Sequence, residues 1–214
     1  MGRPAQKRLV RKRDLERALS SIEVNPAPKA CFEQYATPST VAADVLHLAA
    51  YVFDDILDKT VMELGCGTAR LAIGAVFLGA KEVFGVDIDS VAVKIAQKNA
   101  DLMNFKEKTN WVVGDIDVVC GNFDTVLQNP PFGVQKRRAD RRFIVKSLEL
   151  GHTIYSFHKG GDSNRAFIKR FIEEHGGKIT NIFPMTMEIP RMFKFHTKEK
   201  QITHVDLYRI EGKN

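Results

Sequence analysis

Four consecutive residues near the middle of the chain have groups suited to one chemical task. Asn129-Pro130-Pro131-Phe132 follows the apolar run 123–127, which predicts a buried strand ending beside it. Proline fixes its own φ and restricts the residue before it, so the loop is stiff before any ligand arrives. The Asn129 side-chain oxygen and the Pro130 carbonyl can each accept one N–H, and Phe132 can stack on a flat ring. The loop therefore suits a planar substrate with an exocyclic NH₂ group, although a plain double-proline turn is also compatible with it.

A glycine loop upstream predicts a cofactor site. Residues 60–64 indicate a short buried strand that runs into Gly65-Cys66-Gly67 and then into an apolar helix pattern. Strand, glycine loop and helix form the start of a βαβ unit, in which glycines let the backbone pass close to a bound cofactor. A second strand follows and ends at Asp87, whose carboxylate can hold two ribose hydroxyls.

The loop favours S-adenosylmethionine over a dinucleotide. A dinucleotide fingerprint has a third glycine at position 70, where this chain has Arg70. An acid, Glu63, precedes the first glycine and suits a cationic amino-acid end better than a diphosphate. A third strand then leads into Asp115 and Ile116. Asp115 could accept the amino group of the cofactor adenine with Ile116 packed on the ring, although a helix cap or turn role for Asp115 is equally compatible.

Taken in order, these motifs resemble the Rossmann-like class I methyltransferases that modify amino groups. More narrowly, the chain is similar over nearly all its length to the small-subunit ribosomal RNA adenine-N6 methyltransferases of archaea and eukaryotes, the methyltransferase-like protein five family. The motifs that carry the resemblance are residues 33–37, 63–67, 129–133, 155–159, Pro190 and 193–196. The resemblance implies an α/β fold with a seven-stranded, mostly parallel sheet, an antiparallel last strand and helices on both faces. We expect a single domain over residues 1–214, with an N-terminal helical segment at 1–58 and the catalytic core at 59–214.

The resemblance also implies residue roles. Asn129 and Pro130 would activate the amino group, and Phe132 would be the stacking platform beside Pro131. The cofactor S-adenosylmethionine would contact Gln34, Tyr35, Thr37, Glu63, Gly65, Cys66, Gly67, Asp87, Ile88, Asp115, Ile116 and Asn129. Members of this branch often work with a small zinc-binding activator protein, which is a second expected partner besides RNA.

Composition is compatible with an RNA-binding enzyme of the cytoplasm. The 214 residues are 44% hydrophobic, and the net charge of +6 favours a polyanionic partner. The three cysteines have neither paired nor metal-type spacing, which predicts reduced thiols in a cytoplasmic protein without a metal site. No apolar run approaches the length of a membrane span, so we expect no membrane association.

Basic residues beside the catalytic loop suggest where RNA binds. The run Lys136, Arg137, Arg138, Arg141 and Arg142 could clamp phosphates, or it could be the solvated start of a helix. Arg191 with Phe193 and Phe195 could form the opposite wall, although both phenylalanines could also be core residues. For His158, RNA contact and solvation at a strand end are both compatible with the sequence.

Helical patterns flank and follow the glycine loop. Residues 1–23 indicate a basic amphipathic helix, either touching RNA or presenting a solvated charged face. A second helix is predicted from Thr37, as its cap, to about residue 56. Later helices are expected near 139–150 and 162–175, and final strands near 178–188 and 201–210.

Three other functions are compatible with the sequence. Glutamine N-methyltransferases of proteins use a similar loop, because a primary amide also presents an NH₂ group to two acceptors. A DNA adenine is a possible target as well, since the catalytic loop does not read the 2′-hydroxyl. A non-enzymatic RNA-binding scaffold is the third alternative, and the intact Asn129 loop argues against it.

Overall fold

The computed structural model describes residues 9–29, 35–132, 139–190 and 200–212. Within them the chain forms one seven-stranded sheet in the order β3-β2-β1-β4-β5-β7-β6. The strands are β1 Thr60–Leu64, β2 Glu82–Asp87, β3 Thr109–Val113, β4 Phe123–Gln128, β5 Gly151–Lys159, β6 Lys178–Pro190 and β7 Lys200–Glu211. β7 is antiparallel to both its neighbours, whereas the other pairings are parallel, which confirms the predicted fold class.

Helices cover both faces of the sheet, as a mostly parallel sheet requires. They are α1 Lys12–Ser20, α2 Ser39–Tyr51, α3 Arg70–Phe77, α4 Ser90–Leu102, α5 Ala139–Leu150 and α6 Asp162–Glu174. One apolar core joins α1, α2 and α3 to the sheet, and a second core joins α5 and α6 to the opposite face. In the part of the chain that the structure describes, no helix has the length and apolar character needed to cross a membrane.

The start of α2 differs from the prediction in a way that matters for the site. The helix begins at Ser39 with Pro38 as its N-cap, and it ends at Tyr51 instead of near residue 56. Thr37 is therefore not the cap. Its hydroxyl is free to accept a hydrogen bond from the Asn129 side chain, at 3.1 Å.

A buried ion pair fixes β7 against the loop that precedes β1. Arg209 Nε lies 2.9 Å from Asp55 Oδ2, and only 12% of each side chain is exposed. The Tyr155 hydroxyl donates to the same carboxylate at 2.6 Å. The Arg209 guanidinium also stacks 4.7 Å from the Phe53 ring centre and donates to Thr180. We call Asp55, Tyr155 and Arg209 the ionic cluster.

Candidate active site

The candidate site lies where the carboxyl ends of four neighbouring strands meet. Leu64 at the end of β1 pairs with Val86 of β2 and with Gln128 of β4, and β3 flanks β2. This register brings together Glu63, Asp87, Asp115 and Asn129, as expected for an open α/β sheet. A cavity of about 400 Å³ opens there, within the size range of small-molecule sites. Its lining includes Tyr35, Thr37, Glu63, Gly65, Cys66, Gly67, Arg70, Asp87, Ile88, Asp115, Ile116, Asn129 and Pro131.

The glycine loop has the backbone conformation for which glycine is suited. Gly65 has φ of +65° and Gly67 has φ of +52°, in the left-handed region that side chains disfavour. A Cβ atom on Gly65 would also lie 3.1 Å from the Phe143 ring. The loop is tied to β2, because the Gly67 N–H donates to Asp87 Oδ2 at 2.8 Å. The backbone is thereby held at the wall of the cavity.

Two buried carboxyl groups line the cavity. Glu63 Oε2 accepts the Ala72 N–H at 2.7 Å, and burial raises the pKa of Glu63 to about 8. Burial also raises the pKa of Asp87, which accepts N–H groups from Gly67 and Asp89. Each carboxylate oxygen has two lone pairs, so both groups keep capacity for a ligand. Glu63 can face a cation and Asp87 can accept hydroxyl groups.

Arg70 is a site residue whose role the sequence did not reveal. Its Nη1 donates to the Thr37 carbonyl at 2.6 Å, and burial lowers its pKa. Its Nε is buried and has no partner among the described residues. The sequence showed only a missing glycine at position 70, although a charged residue directly after a cofactor loop is itself a signal.

Asp115 caps a short helix and also lines the cavity, so its position is compatible with both roles that the sequence left open. It is the N-cap of the short 3₁₀ turn Ile116–Val118 and also lines the cavity. Its Oδ1 lies 2.8 Å from Arg142 Nη2, and the same nitrogen lies 2.5 Å from Asp117 Oδ2. Arg142 therefore belongs to the wall of the cavity, with its charge engaged by two carboxylates.

Asn129 stands between the cavity and a smaller depression. Its Nδ2 donates to Thr37 Oγ1, whereas its Oδ1 is buried without a partner in the described part of the chain. The depression is lined by Tyr35, Ala36, Pro38, Asn129, Pro130, Pro131, Phe132 and Met187. Asn129 and Pro131 thus border both spaces. An acceptor with no donor at such a junction is a position for an incoming N–H group.

The predicted RNA-contacting residues have different outcomes. RNA contact by His158 is wrong: the side chain is 2% exposed, burial lowers its pKa to about 3, and Nε2 is hydrogen-bonded to Ser156. The reason is that β5 is a central strand, covered by helices on both faces. Arg141 stacks 4.5 Å from the Phe167 ring centre. Outside the described residues lie Gln34, Lys136, Arg137, Arg138, Arg191, Phe193 and Phe195.

The sheet order and the strand-end site define a Rossmann-like class I methyltransferase that uses S-adenosylmethionine. A magnesium protoporphyrin IX methyltransferase from Synechocystis, solved with S-adenosylmethionine bound, shares the fold at 16% identity with a TM-score of 0.63, covering 80% of this chain and 78% of that one. The model of the ribosomal protein L11 methyltransferase family matches residues 45–130, which include the glycine loop, Asn129 and Pro130.

Two comparisons over nearly the whole chain are more specific. The rRNA N6-adenosine-methyltransferase Mettl5 of Drosophila melanogaster is 33% identical over 206 residues, which cover 93% of this chain and 95% of the relative. A crystal structure of a Pyrococcus horikoshii protein, provisionally described as an RNA methyltransferase, is 39% identical with a TM-score of 0.88, covering 96% and 99% of the two chains. The chain belongs to the rRNA N6-adenosine-methyltransferase family.

Proposed function

We propose that this chain transfers a methyl group from S-adenosylmethionine to N6 of an adenosine in RNA, in small-subunit ribosomal RNA. The observation that carries the proposal is the unpartnered, buried Oδ1 of Asn129, at the border between the cofactor cavity and the depression beside Phe132. An adenine placed in that depression could donate one N6 hydrogen to Asn129 and the other to the Pro130 carbonyl. Phe132 would stack on its ring.

The residues fit the cofactor at both of its ends. Asp87 can accept the ribose hydroxyls, and Asp115 can accept the adenine amino group beside Ile116. Glu63 lies at the other end, next to the glycine loop, where it can face the α-ammonium group. The cofactor supplies an electrophilic sulfonium methyl group, so the methyl acceptor has to meet it at Asn129.

Catalysis by these residues is mostly positioning. The lone pair of adenine N6 is delocalised into the ring, so the nitrogen is a poor nucleophile. Two acceptors on its hydrogens favour a pyramidal nitrogen whose lone pair points at the methyl group. Asn129 is pre-positioned for this because Thr37 holds its Nδ2 at 3.1 Å. The target base has to be unpaired or turned out of its stack to reach the loop.

We propose a phosphate clamp made of four of the five predicted basic residues, without Arg142. Arg142 already forms ion pairs with two carboxylates, at 2.8 and 2.5 Å. These compensate its positive charge, so it contributes little to phosphate binding. Arg141 is stacked on Phe167 at the start of α5 and keeps its guanidinium edges for phosphate contact. Lys136, Arg137 and Arg138 complete the proposed clamp beside the catalytic loop.

The proposal also includes a small zinc-binding activator protein as a partner. The support is β3, an edge strand in which Val112 is 41% and Val113 53% exposed, so that side chains on both faces of the strand meet solvent. Parallel strands are ordinarily covered on both faces, and an open apolar edge is a template for pairing with another chain. A partner strand would cover this edge. Val113→Lys should then abolish co-purification with the activator, whereas Val52→Lys, at an exposed position after α2, should not.

One experiment tests the enzymatic proposal against its alternatives. The protein, with and without the activator, is incubated with methyl-labelled S-adenosylmethionine and either small-subunit ribosomal RNA, a DNA of matched sequence, or a release factor. Digestion and mass spectrometry then identify the labelled product. Label in N6-methyladenosine from the RNA is the expected result. Label only in deoxyadenosine or in a glutamine side chain would reassign the substrate, and no label in any of them would contradict the proposal.

A further inference from the structure

Arg70 places a half-buried positive charge, with a fully buried Nε, at the wall of the cofactor cavity. Its guanidinium donates to one carbonyl, that of Thr37, at 2.6 Å. Within the described residues Nε has no partner, and Arg70 interacts electrostatically with Glu63 without an ion-pair contact. Taking a charged group out of water is costly unless an opposite charge and hydrogen bonds compensate. The guanidinium of Arg70 therefore keeps donor capacity for an anionic group.

The acids that line the cavity form no ion-pair contact with Arg70 in the described part of the chain. Glu63 is 5% exposed and uses Oε2 on the Ala72 N–H. Because burial raises its pKa to about 8, Glu63 is mostly neutral near neutral pH. Asp87 accepts the N–H groups of Gly67 and Asp89 instead of a group of Arg70. An anionic group of a ligand can therefore take the unused donors of Arg70.

The amino-acid end of S-adenosylmethionine carries one anion, the α-carboxylate. A guanidinium offers a planar fork of N–H donors that matches a carboxylate, and such charged hydrogen bonds are among the strongest in proteins. We propose that Arg70 binds the α-carboxylate of S-adenosylmethionine and selects this cofactor over analogues that lack the carboxylate. The inference rests on the cofactor assignment and adds to it the residue that recognises the zwitterionic end. The ammonium group of the bound cofactor favours the ionised form of Glu63, so Glu63 faces the positive charge of that end and Arg70 faces the negative charge.

A structural role for Arg70 has to be separated from this one. Arg70 and Asn129 both bind Thr37, through its carbonyl and its hydroxyl respectively. Arg70 could therefore act only by holding the segment before α2 in place. Loss of that support would weaken the binding of every cofactor analogue to the same degree. Loss of carboxylate recognition would weaken only the ligands that carry a carboxylate.

The test is a binding cycle with two ligands and three proteins, without any turnover. Calorimetry measures the affinity of S-adenosylmethionine and of decarboxylated S-adenosylmethionine, which keeps the sulfonium and amino groups, for the wild type, Arg70→Lys and Arg70→Met. The wild type should prefer the carboxylated ligand by roughly tenfold to a hundredfold, the strength of hydrogen bonds to a charged group. Arg70→Met should lose nearly all of this preference while binding the decarboxylated ligand as before. Arg70→Lys should keep part of it.

Each result supports or overturns the inference. An equal loss of affinity for both ligands in Arg70→Met would overturn the inference, and so would a wild type that prefers neither ligand. If that wild type still methylates RNA, the proposed function stands. A wild type that binds neither ligand would overturn both. If Arg70→Met melts at a much lower temperature, the wild type and Arg70→Lys decide alone: a preference reduced in Arg70→Lys supports the inference, and an unchanged one overturns it.

Discussion

The ionic cluster and the cofactor cavity solve the problem of buried charge in opposite ways. In the cluster, Arg209 and Asp55 face each other at 2.9 Å, and the Tyr155 hydroxyl adds a hydrogen bond to the same carboxylate. In the cavity, Arg70 Nε and Asn129 Oδ1 are buried without partners among the described residues. Buried polar atoms are nearly always paired in folded proteins. The paired cluster ties β7 to the loop before β1, whereas the unpaired atoms are those at which we propose that the ligands bind.

The difference predicts where substitutions act. In the ionic cluster they should lower the free energy of unfolding and leave cofactor affinity of the folded protein unchanged. In the cavity they should lower cofactor affinity or turnover and cost little stability, except at Asp87, which also accepts the N–H groups of Gly67 and Asp89. A site that stays unpaired until its ligand binds reduces the stability of the free protein.

The largest expected effect on stability is at the ionic cluster. Arg209→Met leaves the Asp55 carboxylate buried without its cation and should lower the free energy of unfolding by about 3–5 kcal/mol. Urea denaturation measures this. Arg142→Met is the matched control, because Arg142 also faces carboxylates but its side chain is 48% exposed. The control should lose less than about 1 kcal/mol. Equal losses in the two variants would contradict the difference between the regions.

A smaller effect is expected on cofactor binding. Asp87→Ala removes the acceptor for the ribose hydroxyls and should weaken S-adenosylmethionine binding by about 1–3 kcal/mol. Calorimetry on the folded variant measures it. Asp117→Ala is the control, because that side chain is 64% exposed. Unchanged affinity in a folded Asp87→Ala protein would remove Asp87 from the site.

A third effect is a pH dependence of the ligand-free protein. Burial raises the pKa of Glu63 from its ordinary 4.5 to about 8, so folding favours the protonated acid. This contribution to stability is complete below pH 4.5 and is lost as the pH rises through about 8. Glu63→Gln cannot ionise, so its unfolding free energy should fall by up to about 4 kcal/mol less than the wild type's between about pH 5 and pH 9, because one pKa unit corresponds to about 1.4 kcal/mol. Urea midpoints at the two pH values, with bound cofactor absent, give the difference. Equal slopes would show that Glu63 is ionised in the folded protein.

Sequence patterns predicted the residues that line the cofactor cavity, but they did not predict the hydrogen bonds that join distant parts of the chain there. The glycine loop and the strand-end acids are local signals, since each follows its strand directly in the chain, and the sheet order brings them together. The bond from Arg70 to Thr37 spans 33 residues, and that from Asn129 to Thr37 spans 92. No local pattern records such pairs. The prediction for His158 failed because a strand covered on both faces has no polar side to reveal which residues reach solvent.

Methyl transfer by Asn129→Ala tests the central claim most directly. One preparation is measured twice: single-turnover transfer to N6 of adenosine in ribosomal RNA, and S-adenosylmethionine affinity by calorimetry. We expect a rate at least about a hundredfold below the wild type, the usual cost of losing one positioned polar group, with cofactor affinity close to that of the wild type. A variant that folds, binds the cofactor and retains most of the wild-type rate would show that the unpaired Oδ1 of Asn129 does not activate the amino group.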